Sequence, residues 1–482
     1  MAKDFDDVMS FLGDYGPFQI AIISLLSVCV IPDGYMPLAV VFVSDTPQFG
    51  CESQNLTEAP LSNDTEPCAH GWEFSNDTYT STIVSEWSLV CGDAWKVPFS
   101  TSLYFVGGLI GSFICGDLSD RFGRKSIFFL TMAMQSVTAL IQAASINWAM
   151  FCVLNCMRGF GLTASYNACT ILGSEILSPK SRMTLCLLGQ SVALGVGYAM
   201  LVLFGYLIRD WRMLLVACAI PGLLIMPLWW VIPESPRWLL QKNRLKEAEA
   251  IICNAAKINR VPVPEIIFKP DEGLEIQKIH SYTCLDLLRS SDIRIITILG
   301  CFIWFTCVTV FYGLSLNMNN LNGNVYLNCL FCSATDILVY IMTWFLGNRV
   351  PRPVFLASSM IFCGILLLVI QLVPDDMDVV FRVLALSGRV GTTAAFSFVY
   401  LFFIELMPTV VRNTALGVYA TFGRIGSIIS PYLVYLGVHN KMTPYIVYGT
   451  MSLTAAAFSV FLPDTRNKML PDLISQVQPV QR

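Results

Sequence analysis

The sequence contains few charged side chains. Aspartate, glutamate, lysine and arginine make up only 13% of the 482 residues and hydrophobic residues 55%, whereas soluble proteins are about 25% charged. The net charge of −4 gives no basic surface for nucleic acid, and no nucleic-acid-binding motif occurs. These shortages exclude a soluble nucleic-acid-binding protein and predict a protein that folds in lipid.

Signatures of catalysis are missing as well. The 17 cysteines are mostly scattered through apolar runs without metal-ligand spacing, so most are interpreted as small buried hydrophobes. The segment GSEILSPKS (173–181) places a proline where a phosphate-binding loop needs an N–H donor. No nucleophile–base arrangement occurs either. The sequence therefore predicts no enzyme, no bound cofactor and no metal.

What the sequence does contain is a series of apolar segments near the length that crosses a bilayer, about 20 residues. Twelve are predicted, at 18–43, 97–116, 127–146, 148–172, 184–208, 213–232, 295–316, 325–346, 354–373, 379–404, 414–437 and 443–462. Polar segments at 44–96 and 233–294 interrupt the series. The predicted class is an all-α membrane protein. Its parts are an amino-terminal half at 1–232, a central loop with short helices at 233–294, a carboxyl-terminal half at 295–462 and a tail at 463–482.

The basic residues predict the orientation. With both termini in the cytoplasm, 22 of the 30 Lys and Arg side chains lie on the cytoplasmic side, five lie in outer loops and three lie inside spans. This bias follows the positive-inside rule.

The 44–96 segment has the marks of an outer loop. The three N-glycosylation sequons of the chain begin at Asn55, Asn63 and Asn76, all within it, and predict glycans outside the cell. Three cysteines, Cys51, Cys68 and Cys91, also lie there. They predict one disulfide with one cysteine left over, and the pairing stays open.

Between spans 2 and 3 the sequence reads GDLSDRFGRKS (116–126). Its two acids and three bases do not belong in hydrocarbon, and its glycines permit a tight reversal. The pattern, in a chain of six plus six spans, resembles the signature loop of the major facilitator superfamily. The resemblance implies that its charges form a latch that breaks when two six-helix halves rock apart. A simple positive-inside anchor is the alternative.

Further segments narrow the resemblance. STIVSEWSLVC (81–91), GSEILSPKSR (173–182), PESPRWLL (233–240) and ELMPTVVRN (405–413) resemble the organic ion transporters of that superfamily. FLGDYGPFQ, IRDWRMLLVA and TAAFSFVY look most like its carnitine and organic cation branch. The resemblance assigns a charge latch to side chains near the cytoplasmic ends of the spans. They are Asp117, Asp120, Arg121, Arg124, Glu175, Arg182, Glu234, Arg237 and Arg412.

Ionisable side chains inside spans are costly to bury and are therefore candidates for function. Arg424 in span 11 stands where the resemblance implies aspartate in cation transporters and arginine in anion and carnitine transporters. Its guanidinium offers a planar fork for a carboxylate. We predict a substrate site near Arg424 and Asp336, with a purely structural ion pair as the alternative. The roles of Arg158 and Arg389 stay open.

Aromatic faces hold a quaternary ammonium group, which has no proton to donate. The aromatic candidates for the substrate site are Tyr166, Tyr198, Tyr312, Tyr340, Phe396 and Tyr400. Tyr166 is favoured because ASYNA (164–168) resembles an Asn-Tyr pair of the carnitine branch. Ser165 takes the place of that asparagine and joins the predicted site.

Two acids are candidates for ion coupling. Asp33, in IPDGYMP (31–37), is predicted to lie at a break in span 1, where an interrupted helix exposes backbone carbonyls. Sodium, a proton and the substrate's ammonium group are its candidate ligands. Glu405, near the cytoplasmic end of span 10, is the second candidate, and an ion pair is the alternative for it.

The predicted function is secondary active transport of small zwitterions or organic cations across the plasma membrane by alternating access. The chain is expected to act as a monomer in the lipid bilayer, with sodium or proton coupling. An organic anion exchanger of the same fold, using Arg424 and Arg389, and a membrane receptor or sensor that moves no substrate are the alternatives.

Overall fold

A computed structural model describes residues 10–51, 71–262, 286–289, 291–321, 323–346, 349–374, 376–408 and 411–465. Twelve long helices follow one another through these residues. They are α1 Pro17–Tyr35, α2 Lys96–Phe122, α3 Arg124–Ala143, α4 Trp148–Ile176, α5 Ser191–Leu207, α6 Trp211–Ile225, α7 Ser291–Leu316, α8 Val325–Leu346, α9 Arg352–Val369, α10 Asp378–Leu406, α11 Arg412–His439 and α12 Thr443–Val460. Each predicted span overlaps one of them, so the predicted all-α class is confirmed.

Short elements connect and extend the long helices. Short helical segments lie at Ser10–Leu12, Val40–Val43, Ile83–Trp87, Cys91–Asp93, Pro179–Thr184, Leu185–Gln190, Met226–Trp230, Pro236–Gln241, Leu245–Asn259, Asp286–Arg289, Asn317–Asn320 and Ile370–Leu372. Strands β1 Phe49–Cys51 and β2 Trp72–Phe74 pair antiparallel, with Phe49 opposite Phe74. The Leu245–Asn259 helix buries Ala248, Ile252 and Ala255, a spacing that gives one apolar face.

Nine helical segments of the described residues are long and apolar enough to cross a membrane. The other three long helices, α4, α11 and α12, are long enough but carry more small and polar residues. In α4, for example, Asn155, Arg158 and Thr163 are buried. Polar residues inside a span are expected where helices pack against each other rather than against lipid.

The two halves repeat one packing scheme. α1 packs on α5, α2 on α4, and α3 on α4 and α6. Six helices later, α7 packs on α11, α8 on α10, and α9 on α10 and α12. The halves meet where α2 packs on α11 and where α5 packs on α8. Below, the outer end is the end of the bundle that carries the loop between α1 and α2, and the inner end is the opposite one.

Contacts between the halves close the outer end. The Ser102 hydroxyl of α2 donates to the Ile428 carbonyl of α11 at 2.8 Å. The Asn319 amide, after α7, donates to the Val41 carbonyl at 2.5 Å. The Phe42 ring stacks on Tyr326, with centroids 5.6 Å apart, so polar and aromatic groups both seal this end.

The predicted end of span 2 is wrong. GDLSDRFGRKS was expected to be a loop, but α2 continues to Phe122 and α3 begins at Arg124. A polar helix end can leave the hydrocarbon without losing backbone hydrogen bonds, so hydropathy alone ends the helix too early. The reversal rests on Gly123, whose φ is +103° and whose Cβ would lie 2.6 Å from Glu234 Oε2. Gly116 has nothing within 4 Å of such a Cβ and is not needed for the turn.

The predicted break of span 1 at Asp33 is also wrong. α1 continues through Asp33 to Tyr35, and in the turn that follows the Ala39 N–H donates to the Tyr35 carbonyl at 2.9 Å. Gly34 serves close packing instead, since a Cβ there would lie 2.3 Å from the Leu194 carbonyl oxygen of α5.

Candidate functional site

The inner end of the first half holds an ion-pair network. The Arg124 guanidinium pairs with Asp120 one turn earlier and with Glu175 of α4 at 3.2 Å. The Ser235 hydroxyl donates to the second Glu175 oxygen at 2.5 Å. Glu234 accepts from the Lys125 backbone N–H at 3.0 Å. These contacts tie α2, α3, α4 and the segment after α6 together.

Four other predicted latch residues lie around this network. Asp117 and Arg121 are exposed on the inner end of α2, where an anchoring role suffices. Arg182 donates to the Leu177 carbonyl at 3.4 Å and has a further interaction. Arg237 is half-buried and, like Arg182, interacts with another residue.

The second half repeats the network six helices later. Arg352, at the start of α9, makes two hydrogen bonds to Glu405 of α10, at 2.9 and 3.0 Å. Thr465 donates to Glu405 at 2.7 Å, as Ser235 donates to Glu175. Arg412 donates to the Met407 carbonyl at 3.2 Å. Because Arg352 and Thr465 engage the Glu405 carboxylate, the ion-pair alternative is favoured over ion coupling at Glu405.

Inside the second half, Asp336 of α8 and Arg389 of α10 form a buried bidentate pair, with N–O distances of 2.5 and 2.9 Å. Thr393 donates to Asp336 at 3.0 Å, and Arg389 Nε donates to Ser315 at 3.1 Å. The Arg389 and Asp336 side chains are 1% and 5% exposed. Neither charge is therefore free for a substrate here, and the substrate contact of Asp336 stays a prediction.

Arg424 differs from Arg389. It lies in the middle of α11 and is half-buried. Among the described residues, its guanidinium forms neither a salt bridge nor a hydrogen bond. Its charge lies within electrostatic range of the hydroxyls of Tyr104 in α2 and Tyr312 in α7. An unpaired guanidinium within range of two phenol groups can receive an anion.

The predicted aromatic candidates fall on both sides of the interface. Tyr166 of α4, which is half-buried, lies within electrostatic range of Tyr340 and Tyr400 in the other half. Tyr198 of α5 faces the Arg389 guanidinium at 5.8 Å. These candidates therefore come from both halves of the bundle.

Two further predicted residues take packing positions. Phe396 stacks on Phe311 with centroids 4.6 Å apart. Ser165 is fully buried, so it has no open surface for a substrate in this conformation, and its substrate role stays a prediction.

The first half keeps buried ionisable groups without a charged partner. Asp33 accepts from the Gln135 amide of α3 at 3.0 Å, and its other oxygen and Gln135 Oε1 make no hydrogen bond within the described structure. Arg158 of α4 donates to Asn155 at 2.9 Å and lies 5.2 Å from the Tyr104 ring. Its Nε and Nη1 are likewise unsatisfied.

Sequence reasoning missed Gln135 and Tyr104. Both lie inside predicted spans, but neither carries a charge, and nothing in the sequence distinguishes Tyr104 from the other aromatic residues of the spans. A polar amide in the middle of span 3 was the available signal.

At the outer loop, Asn76 is exposed, whereas Asn55, Asn63 and Cys68 lie outside the described residues. Cys51 is disulfide-bonded and Cys91 is an exposed free thiol. Asp45, just beyond the Val40–Val43 helix, accepts from the Thr46 N–H at 2.9 Å. Burial raises the pKa of Asp45 to about 6, although Tyr79, Thr46 and Asn319 lower it in part.

Comparisons with known proteins agree with this geometry. The family described as "Sugar (and other) transporter" matches residues 57–473. The human "Organic cation/carnitine transporter 2" is 42% identical, with 98% of this chain and 94% of that protein covered. The mouse "Solute carrier family 22 member 4" is 41% identical, with 99% and 95% covered. The inward-open xylose transporter of E. coli superposes with a TM-score of 0.65 at 16% identity, over 95% of this chain and 100% of that one.

Proposed function

Because the chain belongs to the sugar (and other) transporter family and, within it, to the organic cation/carnitine transporters of solute carrier family 22, we propose that it carries a small carboxylate-bearing quaternary ammonium compound, of the carnitine kind. It has the major facilitator fold, is a multi-pass protein of the plasma membrane, works by alternating access and is not an enzyme. What we propose beyond this is the chemical class of the substrate.

The observation that carries the proposal is the contrast between two arginines. Arg389 is neutralised by Asp336, while Arg424 has no acid beside it in the described structure. A buried or half-buried cation is stabilised when a ligand supplies the missing negative charge. A carboxylate suits the guanidinium because it accepts two parallel hydrogen bonds. This pairing also disfavours an anion exchanger that uses both arginines.

The aromatic groups supply the other end of the substrate site. Tyr166, Tyr340 and Tyr400 come from α4, α8 and α10, and Tyr166 lies within electrostatic range of the other two. Their π faces attract a trimethylammonium group without needing a donated proton. A zwitterion would therefore place its carboxylate at Arg424 and its ammonium among these rings.

Coupling to a cation would rest on Asp33. The free oxygens of Asp33 and Gln135 are buried together, and an unpaired buried acceptor is costly. A proton on Asp33 or a sodium ion shared with Gln135 would satisfy it. Uptake measured with and without sodium, at fixed pH, separates the two ions, and Asp33→Asn should abolish the dependence on the ion that is used.

The orientation is part of the proposal. Both termini lie in the cytoplasm, and the loop between α1 and α2 lies outside and carries glycans at Asn55, Asn63 and Asn76. The chain acts as a monomer. Replacing these asparagines one by one with Gln should lower the apparent mass in steps on gels, each step matching one glycan. No change on enzymatic deglycosylation of the wild type would contradict this orientation.

The direct test is uptake of labelled carnitine, ergothioneine and tetraethylammonium by cells that express the chain, each with and without sodium. We expect saturable carnitine uptake above that of untransfected cells. Uptake of organic anions in place of these compounds would favour the exchanger. Surface expression without uptake of any of them would favour a receptor or sensor.

A further inference from the structure

An apolar groove of about 570 Å³ lies between α7 and α11 in the inner half of the bundle. Its walls include Leu287, Ile298, Phe302, Phe305, Phe422 and Ile425. Three of these side chains, Ile298, Phe422 and Ile425, are exposed although they are apolar. Apolar side chains on the surface of a protein are stable only where an apolar partner covers them.

The groove is separate from the proposed substrate site. On α11, Val418, Phe422 and Ile425 recur at i, i+4 and i+7 and form one stripe along the helix. Arg424 lies off that stripe, within electrostatic range of Tyr104 and Tyr312. The groove therefore opens on a different side of α11 from the side that carries the unpaired guanidinium.

The inner end of the groove is basic. Arg294 lies four residues before Ile298 and thus on the same face of α7, and it is exposed. Arg289 is exposed on the short helix whose Leu287 lines the groove. Within the described residues neither arginine pairs with an acid. Asp292 lies two residues from Arg294 and so projects to another side of the helix.

The groove together with its basic inner end matches one leaflet. The α7 residues that line the groove run from Thr297 to Phe305, and Arg294 lies about one turn further toward the inner end. From Arg294 to Phe305 the helix rises about 16 Å at 1.5 Å per residue. Half the hydrocarbon thickness of a bilayer is about 15 Å. Two cations at the level of the headgroups above an apolar channel of this length are complementary to one phospholipid. A sterol offers only a hydroxyl to the arginines, and a phosphate makes much stronger, bidentate bonds to guanidinium.

We propose that this groove is a binding site for an anionic phospholipid, with one acyl chain between α7 and α11 and the headgroup at Arg289 and Arg294. The site lies in the cytoplasmic leaflet, where anionic lipids concentrate, and this placement rests on the orientation proposed above. A lipid held against α11 on one side would bias the same helix that carries Arg424 on the other.

The test is lipid binding by the full-length purified protein, measured as individual adducts by native mass spectrometry with phosphatidylserine and phosphatidylcholine as probes. We expect the wild type to prefer phosphatidylserine. Arg289→Gln with Arg294→Gln should weaken phosphatidylserine binding by roughly thirtyfold, from two surface arginines, and should weaken phosphatidylcholine binding less, because the choline cation offsets the charge of its phosphate. Ile298→Trp, which fills the groove without changing charge, should weaken both lipids.

The matched control is Lys246→Gln with Lys257→Gln, which removes two exposed cations from the Leu245–Asn259 helix and should change nothing. Thermal unfolding of each variant shows whether it is folded. Equal binding of the two lipids by the wild type would overturn the proposal, because it means that the basic rim does not act. Cholesterol that competes fully, with no effect of the arginine changes, would also overturn it and assign the groove to a sterol. Because no transport is measured, failure here leaves the proposed substrate untouched.

Discussion

The two halves of the transporter are alike at the inner end and unlike in the interior. At the inner end, Arg124 with Glu175 and Arg352 with Glu405 occupy equivalent positions, and a hydroxyl donates to each glutamate. The ion pair recurs although the segment NRVPRP (348–353), which holds Arg352, keeps little of GDLSDRFGRKS beyond basic residues. The ion pair, rather than the full motif, is therefore what the two halves share at this end.

In the interior the halves diverge. In the second half, Asp336 and Arg389 neutralise each other, while Arg424 in the same half has no acid beside it in the described structure. The first half leaves Asp33 and Arg158 with amide partners only, and unsatisfied atoms remain on both. The second half therefore contains a neutralised buried pair, whereas Asp33, Arg158 and Arg424 are groups that a bound substrate or ion can complete.

The largest effect is expected from breaking the buried pair. Arg389→Met leaves Asp336 charged and alone, which costs about 3–5 kcal/mol, so the unfolding temperature and the amount at the cell surface should both fall steeply. Asp336→Leu combined with Arg389→Met removes both charges and should recover most of the stability. Asp33→Asn in the first half is the control and should keep normal expression. A stable, well-expressed Arg389→Met would contradict the contrast between the halves.

The next effect tests the likeness at the inner end. Glu405→Gln leaves the buried Arg352 without the carboxylate of Glu405, and Glu175→Gln leaves Arg124 with only the exposed Asp120, so each change costs about 1–3 kcal/mol. Turnover normalised to surface protein should fall by a similar factor in both. Asp120→Asn should leave the protein in the membrane and slow transport less, because the Asp120 side chain is 62% exposed and an exposed pair contributes about 0.2–1 kcal/mol. Normal turnover in all three variants would reduce these residues to anchors.

The smallest effect concerns pH at the outer end. The pKa of Asp45 is raised to about 6 in the closed state, whereas water lowers it toward its ordinary value of about 3.9 when that end opens. Ionised Asp45 therefore destabilises the closed state above pH 6. This destabilisation is lost as the pH falls from 6 toward 4, because Asp45 is then protonated. Acidification from pH 7.5 to 5.5 should favour closure by at most about 1 kcal/mol.

Labelling measures this shift. Ser102→Cys, in a Cys91→Ser background, reports outer opening through its reaction with an impermeant thiol reagent, since Ser102 is 4% exposed in the closed state. The ratio of labelling at the two pH values should change when Asp45→Asn is added, because asparagine mimics the protonated acid. The same ratio in both backgrounds would remove Asp45 as the titrating group. Among the described residues, Tyr79, Tyr326, Cys329 and Arg209 are the other titratable or charged groups near it.

Hydropathy was enough to predict the twelve helices, because a span must satisfy its backbone inside lipid whatever its neighbours are. It failed at the inner end of α2, where the helix continues into water to Phe122. The break predicted at Asp33 came from Pro32 and Gly34, which are typical helix breakers. In the structure Gly34 instead lets α1 approach α5.

The sequence alone could not predict which charged side chains pair with each other. Asp336 and Arg389 lie 53 positions apart, and no local pattern distinguishes Arg389, which finds a carboxylate, from Arg424, which does not. Pairing across helices is set by tertiary packing, so only the folded chain separates a structural arginine from one available to a ligand.

The measurement that tests the central claim most directly is the paired uptake of carnitine and a carboxylate-free cation, tetraethylammonium, by Arg424→Lys. Lysine keeps the charge but loses the bidentate fork, and a charge-assisted bond of about 1.5–3 kcal/mol implies a loss of carnitine affinity of roughly ten- to a hundredfold. Tetraethylammonium uptake, normalised to surface protein, should stay near that of the wild type. Arg389→Lys, in the paired position, should reduce both. Equal loss for both substrates in Arg424→Lys would show that Arg424 is structural and does not bind the carboxylate.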